Sequence, residues 1–423
     1  MSSISSRAVA ACGSTQSHRD VIGARVPHRR GVSVSDTHAQ QDSLRRTLGL
    51  NRRQFMAATT GVAAATALPL ALPGTAQAEE VPVADPAATA LPDDRSALVP
   101  ASQRGIILYT VRDAISRDPN ASPHPSGFKE VFAALAAIGY KQIEFAGYTQ
   151  HANSEGGNNL ESVAGATLLR SWLDANGLRA QGNHGFIPGS WPLSTADLDR
   201  WKRTLEIANI LGMQHVGTGN DPTGSNFKAD WDVAIEKWHA LGELATAAGL
   251  KLYTHNHDAA YNFLLDSGPL DALGRPTRSS GIRKLEYFLS QTDKHLVFLE
   301  MDLFWAHVAQ YKFSNYTAAD GTVVQDIFDP FTLIRENQKR YPLFHIKDGK
   351  VNPAIPNGYD MVPLGTGNIN YREFFERVKI RDKHHPMYEQ DNAPNGADPA
   401  QSLGLAQLSW NNWADMREDR YYE

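Results

Sequence analysis

A single cysteine, Cys12, is the whole thiol content of the 423-residue chain, so no disulfide can form within it. Any argument for an exported location must come from elsewhere. Charge of one sign is also scarce: 41 Lys and Arg against 46 Asp and Glu leave a formal net charge of -5. That balance removes the basic field which recruits nucleic acid or an anionic membrane. A long uninterrupted apolar run is missing too. The weakly apolar stretch after Asn51 is broken by Thr59, Thr60, Pro69 and Pro73 and is rich in Ala and Thr rather than Leu and Ile, which argues against a permanent membrane anchor. What remains, 42% hydrophobic and 21% charged residues, is ordinary globular composition with enough apolar mass for a large core in one or two domains.

The stretch LGLNRRQFMAATTGVAAATALPLALPGTAQAEE, residues 48 to 80, carries an arginine pair, Arg52 and Arg53, then the Ala-rich run, then Ala76-Gln77-Ala78 as a small-residue cleavage site. It resembles a twin-arginine export signal. That resemblance implies passage through the Tat translocase in the folded state, with a cofactor loaded beforehand, and a periplasmic or secreted destination. Cleavage is expected after Ala78. Residues 1–78 are thus read as a leader, 79–103 as an Ala-, Pro- and Asp-rich linker, and 104–423 as the folded body.

From residue 104 onward, eight short β-type runs alternate with longer helical ones: 105–110, 141–147, 178–184, 213–219, 250–257, 295–302, 342–348 and 385–391. The intervening segments, such as FKEVFAALAAIG and DLDRWKRTLEIANILG, have a 3.6-residue apolar period, and several end at Gly as helix C-caps do. Eight βα units in about 320 residues predict a single-domain α/β fold, a (β/α)8 TIM barrel. A doubly wound sheet is disfavoured because no G-x-G-x-x-G follows the first strand. Two loops, about 259 to 282 and about 308 to 327, are longer than the core needs and read as a lid or substrate-selecting wall, or as surface decoration.

Four of the apolar runs end on metal-ligating residue types: KLYTHNHD on His255 and His257, LVFLEMD on Asp302, PLFHIKD on His345 and PMYEQD on Glu389. Parallel strands followed by helices bring their C-terminal ends to one face, so these residues converge. Mixed nitrogen and oxygen donors suit one divalent ion of Mn, Mg, Co or Zn. His255 and His257 share a strand face, as do Glu300 and Asp302, and His345 and Lys347, so parity does not choose within a pair. A carboxylate ending an apolar run, such as Asp302, is costly unless paired or bound to a metal. Glu144 and His184, at the second and third strands, are candidates for binding substrate hydroxyls. Glu144 could equally pair with Arg112. Trp305 could stack on a sugar ring or belong to the core.

The fragments LYTVRD, GYKQIEF, HNHD, EMDLFW, HIKDG with PLGTGNI, and YEQD, in that order over residues 104 to 395, resemble the xylose-isomerase-like barrels of the sugar phosphate isomerase and epimerase type. The resemblance implies four ligands to one divalent metal from the fifth to eighth strands: His255, Asp302, His345 and Glu389. The chain departs from many epimerases in having His255 where they have Glu. His257 or Lys347 would then join Glu389 as the groups that move protons or stabilise the oxyanion.

A metal that binds adjacent hydroxyl and carbonyl oxygens of a sugar acidifies the neighbouring C–H and stabilises an enediolate. Proton return gives epimerisation or isomerisation, and loss of a β-substituent gives elimination. The expected activity is therefore a metal-dependent isomerase or epimerase on a non-phosphorylated carbohydrate. The alternatives are a lyase acting on 3-keto-glycosides and, in another class, a non-catalytic periplasmic sugar-binding protein.

Overall fold

A computed structural model describes residues 97–379 and 383–418, all within one compact unit, Pro86–Glu423. The leader, Arg52, Arg53, Cys12, the Ala78 cleavage site and most of the 79–103 linker lie outside the described residues. Residues at the end of that linker pack onto the body. Leu98 N donates to Met416 O at 3.1 Å, Val99 is buried, and Arg104 reaches back to Val99 O at 3.2 Å while stacking over Trp410.

Eight parallel strands form the barrel: β1 Gly105–Ile107, β2 Gln142–Phe145, β3 Arg179–Asn183, β4 His215–Thr218, β5 Lys251–Thr254, β6 Val297–Asp302, β7 Leu343–Ile346 and β8 His385–Tyr388. Each falls inside its predicted run. The sheet order is β3-β2-β1-β8-β7-β6-β5-β4, and a parallel bridge between His184 and Gly217 joins its two ends. This ring is a (β/α)8 TIM barrel, which excludes the doubly wound alternative.

The outer layer is α1 Gly127–Ile138, α2 Val163–Ala175, α3 Thr195–Ile210, α4 Lys228–Ala247, α5 Lys284–Gln291, α6 Leu303–Lys312, α7 Pro330–Asn337, α8 Tyr371–Val378 and α9 Gln401–Ala414. Side-chain caps fix several starts: Ser162 accepts from Gly165 N, Ser194 from Asp197 N and Asn370 from Glu373 N. Their apolar faces, with Trp201, Trp231, Trp238 and Trp413 fully buried, form the main core between helices and sheet. Among the described residues no helix is long and apolar enough to cross a membrane.

Inside the barrel the layers differ in character. His215, His385 and Gln142 begin their strands at the N-terminal end, where His385 Nδ1 lies 2.8 Å from Gln142 Oε1. Tyr253, Leu343 and Met387, with Phe298, form a small separate apolar layer. Gly105 makes room for it, since a Cβ there would lie 2.2 Å from Met387 Sδ. Above this layer, toward the C-terminal ends, the interior becomes ionisable.

The two long loops hold more structure than a bare connection. The first contains a 3-10 turn, Asp258–Tyr261, and a hairpin, Ser267–Leu270 with Pro276–Arg278. The stretch expected as a loop from 308 begins inside α6 and continues into a hairpin, Asn315–Thr317 with Val323–Gln325. A third hairpin, Asp348–Val351 with Tyr359–Val362, follows β7.

Candidate functional site

The barrel directs its chemistry through strand register. His345 on β7 pairs with Asp302 on β6 and with Met387 on β8, so the residue two beyond Met387, Glu389, rises beside it. Asp302 ends β6 and caps α6: its Oδ1 accepts from Trp305 N at 2.9 Å, which turns Oδ2 toward the cluster. Fully buried Asn256, between the two histidines of HNH, accepts from Asp302 N at 3.1 Å and donates to Asp302 O at 3.4 Å. The sheet edge is thereby pinned where the ligand types meet.

His255 Nδ1 lies 3.2 Å from Glu300 Oε2, leaving Nε2 3.7 Å from Asp302 Oδ2. His345 Nε2 lies 2.8 Å from Glu144 Oε2, leaving Nδ1 2.7 Å from Glu389 Oε2 and 3.9 Å from Asp302 Oδ2. Each histidine thus spends one nitrogen on a buried carboxylate and turns the other toward Asp302, and His345 toward Glu389 as well. Asp302 Oδ2, His345 Nδ1 and Glu389 Oε2 are buried and, among the described residues, make no contact of hydrogen-bond geometry. Lys347 Nζ lies 2.8 Å from both carboxylate oxygens and 3.0 Å from Asp391 Oδ1, a cation already drawn to that place.

Two donor sets could each hold an ion, with atoms within 4.8 Å of one another: Asp302, His345 and Glu389, and His184, His255, Glu300 and His345. In the second set the donors already face each other, since Glu300 Oε2 also lies 2.8 Å from His184 Nε2. Three carboxylates, Asp302, Glu389 and Asp391, share Lys347, while Glu144 and Glu300 lie against the histidines, a concentration of buried carboxylates that suits an added divalent cation.

Burial, joined by the nearby Glu300, raises Glu144. Burial also pushes Glu300 up, but His345 and the hydrogen bonds from His184 and His255 outweigh it and hold Glu300 well below the usual range. Asp302, desolvated and only partly compensated by Lys347, stands at about 6. Glu389 is desolvated too, yet Lys347 and His345 hold it well below the ordinary carboxylate value. Burial depresses His345 less than Glu300, Glu389 and Glu144 raise it, whereas His257 falls to about 4 through burial and the Lys347 charge. Desolvation of Lys347 is overcome by Asp302, Glu389 and Asp391, so it stays charged.

His255, Asp302, His345, Glu389 and Lys347 come together as the strand ends implied. His257 stands beside them, its ring centroid 5.1 Å from that of His255 and 5.5 Å from Trp305, while Lys347 Nζ lies 5.5 Å from the Trp305 ring centroid. His184 is part-exposed at the rim with Nε2 engaged by Glu300. Glu144 needs correction. It is fully buried, with one oxygen bound by Tyr253 Oη and the other by His345, which places it as a partner of His345 rather than on the exposed wall of the mouth. Nor does it pair with Arg112, which donates to Tyr109 O and Asp391 O. The sequence reading missed Glu300 and Asn256 as partners of the ligand types. The signal was there in the shared parity of Glu300 and Asp302 and in the middle position of HNH.

The xylose isomerase-like TIM barrel family model matches residues 132–404. No curated protein sequence matches the chain. Among solved structures, a sugar phosphate isomerase/epimerase from Parabacteroides distasonis is similar with a TM-score of 0.52 at 19% identity, over 74% of this chain and 95% of that one. A second from the same organism gives 0.49 at 17% identity, over 73% and 96%. The 3-keto-D-glucoside 4-epimerase of E. coli gives 0.44 at 13% identity, over 73% and 98%. At these identities the likeness is one of fold.

Proposed function

The chain belongs to the xylose isomerase-like TIM barrel family, and from that premise we propose that it is a divalent-metal-dependent sugar isomerase or epimerase that removes a proton next to a carbonyl. The observation that carries the reading is the pair of histidines, His255 and His345, each tied by one nitrogen to a buried carboxylate, with the other aimed at Asp302 from His255 and at both Asp302 and Glu389 from His345. A metal-binding histidine characteristically donates its second N–H to a carboxylate in this way, which fixes its tautomer and its aim. We assign the metal to His255, Asp302, His345 and Glu389. Mn, Mg, Co or Zn fits such a mixed donor set.

A bound divalent ion would supply Lewis acidity to vicinal hydroxyl and carbonyl oxygens of a sugar. Glu389, held ionised, takes the proton from the carbon beside the carbonyl. Lys347 keeps its charge against Asp302 and Glu389, so it stabilises the developing oxyanion rather than giving up its own proton. His257, neutral at pH 7, is able to accept or relay a proton at the same mouth. Trp305, whose ring lies 5.5 Å from both the His257 ring and Lys347 Nζ, offers an apolar face for the sugar, and His184 a polar rim.

The arginine pair supports a further part of the reading: residues 1–78 act as a Tat leader, 79–103 as a linker at the start of the mature chain, and the 104–423 body works in the periplasm or outside the cell. A location away from the cytosolic pool of sugar phosphates favours free sugars or glycosides. Metal analysis of protein purified without chelator separates enzyme from binding module. About one divalent ion per chain that is lost in Asp302→Ala supports the assignment, and a wild-type protein without stoichiometric metal would favour the sugar-binding alternative.

A further inference from the structure

The two insertions after β5 and β6 are built against each other. Ser279 N donates to Thr317 O at 3.0 Å, and Arg278 Nη1 to Ala319 O at 2.7 Å. Buried Arg283 ties both to the body, donating to Tyr261 O at 2.8 Å, Phe313 O at 3.1 Å and Asp326 O at 2.6 Å. Between them lies a pocket of about 160 Å³, below the size of a drug-sized ligand site and suited to one small ring.

The lining has a definite chemistry. Asn226, Asn262, Asn315 and Thr317 bring amides and a hydroxyl, and Tyr316 stands with its ring 4.8 Å from that of Phe263. Asn226 Oδ1 accepts from Lys284 Nζ at 3.0 Å and Asn262 Oδ1 from Phe263 N at 2.8 Å, while among the described residues neither amide nitrogen has a hydrogen-bond partner. Among the described residues, no protein group hydrogen-bonds the side chains of Asn315, Thr317 or Tyr316. The charged side chain of the lining, Arg278, is turned to Ala319 O. Neutral donors and acceptors beside an amphipathic ring match a polyhydroxylated pyranose, which needs many hydrogen bonds and one apolar face.

The pocket shares a frame with the barrel mouth. His257 precedes and Asn262 follows the 3-10 turn Asp258–Tyr261, which at roughly 2 Å per residue separates them by about 10 Å. The loop that brings Asn226 also brings Asp221, which accepts from His257 N at 3.2 Å, and Lys284 joins the two sides by donating from its N to Asn262 O at 2.9 Å.

We propose that this pocket is a second saccharide subsite, which takes a neutral pyranose of the same ligand whose reacting ring enters the barrel mouth. The substrate is then a disaccharide or larger glycoside rather than a free monosaccharide. This rests on the reading that the mouth takes a sugar.

Calorimetric titration of Mn-loaded protein with glucose and with cellobiose, maltose, sucrose and trehalose tests it. At least one disaccharide should bind about tenfold tighter than glucose or more. Tyr316→Ala and Asn315→Ala should each bring the glucose-to-disaccharide Kd ratio close to one. The second variant removes an exposed amide, so its result stands if loss of the Tyr316 ring disturbs the hairpin. A disaccharide advantage under about twofold, or a ratio that survives both substitutions, overturns the subsite. Binding of none of the sugars, glucose included, overturns the sugar reading of the mouth itself.

Discussion

Replacing Glu300 by Gln probes the carboxylate that aims the ligands without touching an assigned ligand. Glu300 Oε2 receives His184 Nε2 at 2.8 Å and His255 Nδ1 at 3.2 Å, and Oε1 lies 3.3 Å from His345 Nε2. Gln keeps the shape but removes the charge, and it sets an NH2 donor where at least one ring N–H must find an acceptor. His255 then loses the partner that fixes its tautomer, so part of its population turns an N–H rather than a lone pair toward Asp302. Losses of this kind cost about 10- to 100-fold in metal affinity, equivalent to about 1.4 to 2.8 kcal/mol. Competition with a fluorescent chelator at pH 7 measures the Mn Kd of both proteins, and circular dichroism checks the fold. A Kd within about twofold of wild type in a folded Glu300→Gln protein would refute the relay and move the ion elsewhere.

Glu389→Gln keeps the shape and one oxygen ligand but removes the base, so turnover should fall by about two to four orders of magnitude with much of the metal retained; near wild-type turnover would move the base to His257. At the other end of the barrel, burial and the nearby Lys251, Arg179 and His384 hold His385 at about 4. A histidine depressed on folding contributes stability that is present above its unfolded pKa and lost as pH falls through the folded one, so up to about 3 kcal/mol should disappear between pH 6.5 and 4. Urea unfolding of wild type and His385→Gln should show the variant losing less over that window, and parallel losses would contradict the assignment. Lysine at both Arg52 and Arg53 should leave the precursor in the cytoplasm, whereas normal export of that double variant would refute the Tat reading.

Much of the barrel was legible because each strand is short, apolar and bounded by turn residues, and the eight runs enclose the eight observed strands. Boundaries ran long at the C-terminal ends. Leu108, Tyr109 and Thr110, read as strand, belong to a 3-10 turn, Leu108–Val111, and HNHD leaves β5 at Thr254, because the residues at the mouth follow site geometry rather than the ladder. Side-chain parity brought His255, Asp302, His345 and Glu389 to one face but could not tell depth. Glu300 is one layer below Asp302, about 7 Å along the strand, and Glu144 lies beneath His345, which turned an expected substrate contact into a buried partner. The hairpins after β5 and β6 were seen as length without form, and the one after β7 was not seen at all. Their strands are three or four residues long and mostly exposed, so they carry little apolar alternation to read.

The central claim, proton abstraction from a metal-held sugar, is tested most directly by NMR of candidate sugars and 3-keto-glycosides incubated with Mn-loaded protein in D2O. The account predicts deuterium entering at the carbon beside the carbonyl, abolished by chelator and restored by added Mn, with the product deciding among epimerase, isomerase and lyase. Turnover of a sugar without solvent deuterium in the product, or exchange that persists in the metal-depleted protein, would contradict it.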